Sequence, residues 1–209
     1  MTRTYAAIAA IVVAVLLGIA AYFAFAPGPQ DKFAQCRGAK VAGGSDAIGG
    51  PFTLISETGE TVTDKDVITK PSLLYFGYTF CPDVCPLDNA RNAEAVTLLD
   101  ERGYDVTPIF ISIDPERDTP EVMAEFTDYM HPRMLGLTGT PEQVKAASTA
   151  YRTYFKKQDS DDPDYYLVDH STFTYLVLPG EGFVEFFRRE DTPEEMAERV
   201  ACFVDAAGK

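Results

Sequence analysis

The sequence predicts an α/β fold, a central mixed sheet flanked by helices, carried behind an N-terminal transmembrane helix. Three observations predict it. Two continuous apolar runs, Ser72–Tyr78 and Val106–Ile113, bracket a stretch of helical periodicity. A hairpin pattern separates the second and third of three Thr-Pro-Glu helix starts. Ahead of both, Ala6–Ala26 runs 21 residues without a charge.

At helical rise that run spans a hydrocarbon core of roughly 30 Å. Ala24-Phe25-Ala26 fits a small-x-small cleavage site. The run is nevertheless longer than the roughly 7 to 15 residues of a signal h-region, so it reads as an uncleaved anchor. Arg3 precedes it and Asp31 follows, which places the amino terminus in the cytoplasm and the rest outside. In a bacterium this is a single-pass inner-membrane protein with a periplasmic domain. The expected division is 1–30 for anchor and short tether (Pro27–Gln30), 31–50 for an extended Gly- and Ala-rich lead-in, and 51–209 for the folded domain.

From Pro51 the pattern is regular. Phe52–Ile55 and Thr61–Thr63 read as strands joined by the turn Glu57-Thr58-Gly59-Glu60. Ser72–Tyr78 is apolar and aromatic throughout, as in a strand buried on both faces. Leu87–Arg102 has helical spacing, and Gly103 stands where a C-terminal cap would. Val106–Ile113 is a second buried strand, so the pair should be parallel with a helical crossover. Thr119, Thr140 and Thr192 each precede Pro-Glu, a start in which the hydroxyl caps orphan amides and proline loses nothing at the first helical position. Thr140 with Gln143 and Thr192 with Glu195 also have capping-box spacing. Phe173–Leu178 and Phe183–Phe187 form the hairpin around Pro179-Gly180-Glu181-Gly182, and the last helix starts at Pro193. Strand, helix, strand, helix, helix, hairpin, helix around one sheet is the thioredoxin-like plan with an extra helical insertion. Gln158–Asp164, with four aspartates, reads as a solvated loop or an acidic docking edge.

Charge and composition exclude several functions. Beyond residue 30 there are 17 basic and 32 acidic side chains, a formal charge of −15, so nucleic acid is not an expected partner. Glycine-rich phosphate loops are missing. Two histidines, His131 and His170, are too few for a multi-histidine metal enzyme.

The chemistry concentrates at Cys81-Pro82-Asp83-Val84-Cys85-Pro86, where a buried strand hands over to a helix. Cysteines four apart on a helical first turn share a face, and helix-terminal amides favour thiolate. Such a pair can close a disulfide, hold a soft metal ion, or do both at different times. His170 precedes the hairpin, and in a thioredoxin-like arrangement that loop passes over the cysteines. His131 reads as a helix cap.

Three segments carry a resemblance: Tyr75–Pro86 (YFGYTFCPDVCP), Ser112–Pro120 (SIDPERDTP) and Asp169-His170-Ser171. In this order they resemble the Sco/SenC family of membrane-anchored copper chaperones, from about Gly49 to Val204. The resemblance implies copper, as Cu(I), Cu(II) or both, on Cys81, Cys85 and His170. It further implies assembly of the copper centre of cytochrome c oxidase subunit II as the role. Subunit II and another copper carrier would then be the partners. Two thiolates and an imidazole suit copper, and three protein ligands leave a position open for transfer, where structural zinc would want four. The competing reading is an extracytoplasmic thiol-disulfide oxidoreductase using Cys81 and Cys85 as the redox-active pair. Against it as sole function, the motif has three intervening residues where thioredoxins have two.

The family pattern leaves Cys36 and Cys202 unexplained. Free thiols in an oxidising compartment could scramble with the active pair, so a structural Cys36–Cys202 disulfide that pins the lead-in to the last helix is expected, the alternatives being two ordinary buried thiols or a Cys36 pairing between chains.

Overall fold

The structure is a computed structural model that describes residues 2–25, 31–38, 47–162 and 165–208. The tether 27–30, part of the lead-in (39–46) and the end of the acidic loop (163–164) lie outside the described residues. The chain separates into two units, Met1–Ala34 and Gln35–Lys209.

In the first unit, helix α1 covers Thr2–Phe25. Its described side chains are exposed, among them Ile11, Val12, Leu16 and Leu17. Among the described residues, no helix is long and apolar enough to cross a membrane, so the transmembrane helix expected from the sequence is not shown.

The second unit is built on a seven-stranded mixed sheet. Strands β1 (Thr53–Ser56) and β2 (Thr61–Thr63) pair antiparallel, and the short helix α2 (Asp64–Val67) follows. Strand β3 (Ser72–Gly77) has all six residues buried, as its apolar run requires. Helix α3 (Val84–Glu101) crosses over to β4 (Thr107–Ser112), which pairs parallel with β3 in a register running from Ser72–Thr107 to Gly77–Ser112. Helix α4 (Pro120–Met130), strand β5 (Leu135–Thr138) and helix α5 (Pro141–Ala150) come next. Strands β6 (Phe155–Lys157) and β7 (Val168–His170) form a separate antiparallel ribbon, and β8 (Thr174–Leu178), β9 (Gly182–Phe187) and α6 (Pro193–Ala207) complete the chain. The order across the main sheet is β2-β1-β5-β4-β3-β8-β9.

All three Thr-Pro-Glu starts cap their helices. Thr119, Thr140 and Thr192 accept from Val122, Gln143 and Glu195 amides, and the last two close reciprocal capping boxes. One buried cluster is centred on Leu54, Leu74, Ile109, Phe110, Ile111 and Leu137 and includes Cys81 and Cys85.

The expected pair of adjacent helices after β4 is corrected. Between them lies β5, parallel to β4 and antiparallel to β1, which joins the opening hairpin to the sheet. Its four residues are too few for a periodicity, and Gly136 breaks the apolar run. A Cβ at Gly136 would come within 2.7 Å of Glu57 Oε2 and 3.1 Å of Met123 Cβ and Thr127 Cγ2, so glycine leaves room for that carboxylate and for helix α4. The acidic stretch is exposed over 158–162 and is the connection between β6 and β7.

Cys36 is disulfide-bonded to Cys202 in α6, with Cα atoms 5.6 Å apart. Beside it, Arg37 donates to the Val184 carbonyl at 2.5 Å, and the Gly38 amide donates to Glu185 at 2.7 Å. Arg37 and Gly38 thus lie against the edge strand β9.

Candidate metal centre

Strand β3 ends at Gly77 and a short turn carries the chain into α3, whose N-cap is Asp83. Cys85 is therefore in the first turn of the helix, while Cys81 precedes the cap. That corrects the expectation of two cysteines on one helical face. The sulfurs still meet, because the turn folds back. The Cys81 amide donates to the Tyr78 carbonyl at 3.3 Å, and the Cys85 amide donates to Cys81 Sγ at 3.4 Å.

His170 is not in a loop before the hairpin as expected but ends strand β7. The ribbon brings Nε2 to 3.3 Å from Cys85 Sγ. Its other nitrogen, Nδ1, lies 2.8 Å from the Ser171 carbonyl, which orients the ring with Nε2 toward the sulfurs. The ligand atoms of Cys81, Cys85 and His170 all lie within 4.8 Å of one another. Cys85 is fully buried, Cys81 nearly so, and His170 is partly open to solvent. His131 lies elsewhere, as the C-cap of α4, where its ring accepts from the Arg133 amide at 3.1 Å.

The two thiols differ. A hydrogen bond from Cys85 holds the Cys81 thiol far below its ordinary range, with His170 and the amides of Asp83 and Cys85 adding to this against the cost of burial. Cys85 is pushed up by the same pairing and by desolvation. In the metal-free pair one sulfur is a thiolate and the other keeps the proton. A soft cation would displace that proton and take both sulfurs.

Residues whose roles the sequence reading did not assign hold this geometry. Gly77 is obligatory, since a Cβ there would sit 2.9 Å from Cys85 Sγ and 2.8 Å from the Tyr75 ring. Tyr75 donates to buried Asp88 at 2.9 Å, and burial raises its own phenol. The rings of Tyr75 and Tyr78 stand edge-on to His170 at 6.2 and 5.8 Å. Asp118 is fully buried and accepts from Thr79 Oγ1 and Ser112 Oγ, both at 2.6 Å, tying the ends of β3 and β4 together below the cysteine turn. Burial raises the Asp118 carboxyl, while these donors oppose the shift. The available signal was period-two spacing, which puts Tyr75 and Gly77 on one face of β3. No pattern in the sequence joins Asp118 to Thr79.

The chain matches the SCO1/SenC family over residues 40–205. It is 59% identical to Protein SenC of Rhodobacter capsulatus over 206 residues, covering 98% of this chain and 92% of that protein. The crystal structure of Arabidopsis thaliana ScoI with copper bound is similar at a TM-score of 0.72 and 42% identity, covering 76% of this chain and 99% of the other. The structure of Bradyrhizobium japonicum ScoI with copper bound gives 0.67 and 41%, covering 74% and 98%. The chain spans about half the length of the mitochondrial relatives from Arabidopsis thaliana and Homo sapiens.

Proposed function

Since the chain belongs to the SCO1/SenC family, we propose that it is a copper chaperone whose cargo binds Cys81, Cys85 and His170 and is passed to, or prepared for by thiol reduction in, subunit II of cytochrome c oxidase. The observation that carries this is the meeting of two sulfurs and one imidazole nitrogen within 4.8 Å. Two sulfurs favour Cu(I), and the imidazole adds the harder donor that Cu(II) needs. With three protein ligands and His170 partly exposed, an incoming ligand from the acceptor can enter before the chaperone's own ligands leave. Copper-bound structures of ScoI proteins at 41–42% identity support the same metal.

The same reading makes α1 a membrane anchor, 1–30 the anchor and tether, 31–50 the lead-in and 51–209 the copper-binding domain in the periplasm. Supporting it are the 21 uncharged residues of Ala6–Ala26 and the exposed apolar side chains of α1. The Cys36–Cys202 disulfide suits an oxidising compartment. Another copper carrier would load the site.

A second reading, thiol-disulfide oxidoreductase, draws on the asymmetry of the thiols, because the ionised Cys81 is suited to attack and Cys85 to resolve. A deletion strain separates the roles. If copper delivery dominates, loss of cytochrome oxidase activity is restored by added copper. If reduction dominates, an external thiol restores it and copper does not.

A further inference from the structure

We propose that Arg117 is the positioning residue that latches the histidine-bearing ribbon to the cysteine turn and thereby sets the affinity of the site for Cu(II). This rests on the copper reading above but concerns a residue outside the ligand set.

Arg117 lies in the turn between β4 and α4, and its side chain is 18% exposed. Its Nε donates to Asp114 Oδ2 at 2.5 Å. The other carboxylate oxygen of Asp114 accepts from Tyr166 Oη at 2.6 Å, so one buried carboxylate bridges the arginine and the approach to β7. The guanidinium carbon stands 3.6 Å from the centre of the Tyr166 ring, 4.6 Å from Phe80 and 5.7 Å from Tyr78. These aromatics belong to the two segments that carry the ligands. Phe80 directly precedes Cys81, and Tyr166 lies four residues before His170. Tyr78 serves both, because its hydroxyl accepts from the Val168 amide at 3.2 Å while its ring stands against His170. Lys157 adds to the clasp, 3.6 Å over Tyr166 and paired with Glu116 at 2.9 Å.

The ribbon is not a strand of the main sheet, so ladder hydrogen bonds to the sheet do not fix His170. What fixes it is this cluster of cation, rings and carboxylate. A planar guanidinium can donate to Asp114 and stack on the rings at once, which a lysine ammonium cannot reproduce. Cys81 and Cys85 are held separately, by the β3 end and the α3 first turn. Losing the latch therefore releases the imidazole and leaves the sulfurs in place, and the metal state that depends on the imidazole is the one that suffers.

The test compares wild type, Arg117→Ala, Arg117→Lys and Tyr166→Phe in the full-length chain with Cys81 and Cys85 reduced. Arg117→Ala should weaken Cu(II) about 10- to 100-fold, the scale seen when partners of metal ligands are removed. Cu(I) should change less than about threefold, because both sulfurs remain. Without any metal, exchange of the Val168 amide should accelerate at least about tenfold while β3 and β4 amides stay protected. Arg117→Lys and Tyr166→Phe should fall between, and they carry the test if Arg117→Ala fails to fold. Equal weakening of Cu(I) and Cu(II), or unchanged Cu(II) affinity with unchanged Val168 exchange, would overturn the latch. If wild type bound no copper, the function would fail while the amide measurement still judged the latch.

Discussion

His170 Nε2 lies 3.3 Å from Cys85 Sγ across 85 residues of chain, although the two sit on elements that share no ladder. Cys85 is fixed by the first turn of α3. His170 arrives on a two-stranded ribbon whose Tyr166 and Val168 bond to Asp114 and to Tyr78. The site therefore depends on packing between the sheet and the ribbon.

The two thiols should react differently. Between the depressed Cys81 value and the ordinary thiol value of 9.0, Cys81 is thiolate in the folded chain, so its alkylation should be fast and nearly independent of pH around neutrality. Cys85, raised and fully buried, should react at least about tenfold more slowly. In Cys85→Ala the hydrogen-bond donor to Cys81 is lost, and the Cys81 pH profile should move upward. Iodoacetamide kinetics with mass mapping of the two sites measures this, and equal rates would refute the assignment.

Gly77→Ala should damage both stability and the site. The new Cβ meets Cys85 Sγ, Tyr75 and Phe110 at 2.8–2.9 Å, all of them in the packed core. Overpacking of this kind costs about 1–3 kcal/mol. Urea denaturation should show that loss, and copper titration should show weaker binding as Cys85 is displaced.

Much of the fold can be read from local chemistry. The apolar runs at 72–78 and 106–113 and the threonine caps mark β3, β4 and three helices because burial on both faces and capping leave residue-level traces. The pieces missed, β5 and the β6–β7 ribbon, are three or four residues long and owe their pairing to distant partners. At the site, the family resemblance supplied Cys81, Cys85 and His170 as the ligand set. The supports Asp118, Asp114 and Arg117 lay inside a quoted motif without a role, since their partners Thr79 and Tyr166 are far away in sequence.

Asp118→Ala should lower stability without touching a ligand. The carboxylate gathers hydrogen bonds from Thr79 and Ser112 at 2.6 Å, and its removal leaves buried donors unpaired. The cost expected is about 1–3 kcal/mol or somewhat more. Asp118→Asn should recover part of it. A lower urea midpoint with unchanged slope is the predicted readout.

The disulfide should be structural only. Cys36 and Cys202 are separated by 166 residues, and the chain-entropy model gives on the order of 4–5 kcal/mol for so long a loop, as an upper figure. Replacing both with serine should lower the denaturation midpoint and leave copper stoichiometry at one. Peptide mapping without reductant should recover the two cysteines linked.

Copper binding by the thiol-reduced chain and its ligand variants tests the central claim most directly. Wild type should take one copper per chain, and the thiolate-to-Cu(II) charge-transfer bands should vanish in Cys81→Ser and in Cys85→Ser. In His170→Ala, Cu(II) binding should collapse while Cu(I) persists weakly on the two sulfurs. A chain that binds no copper, or Cu(II) spectra unchanged in all three variants, would contradict the account.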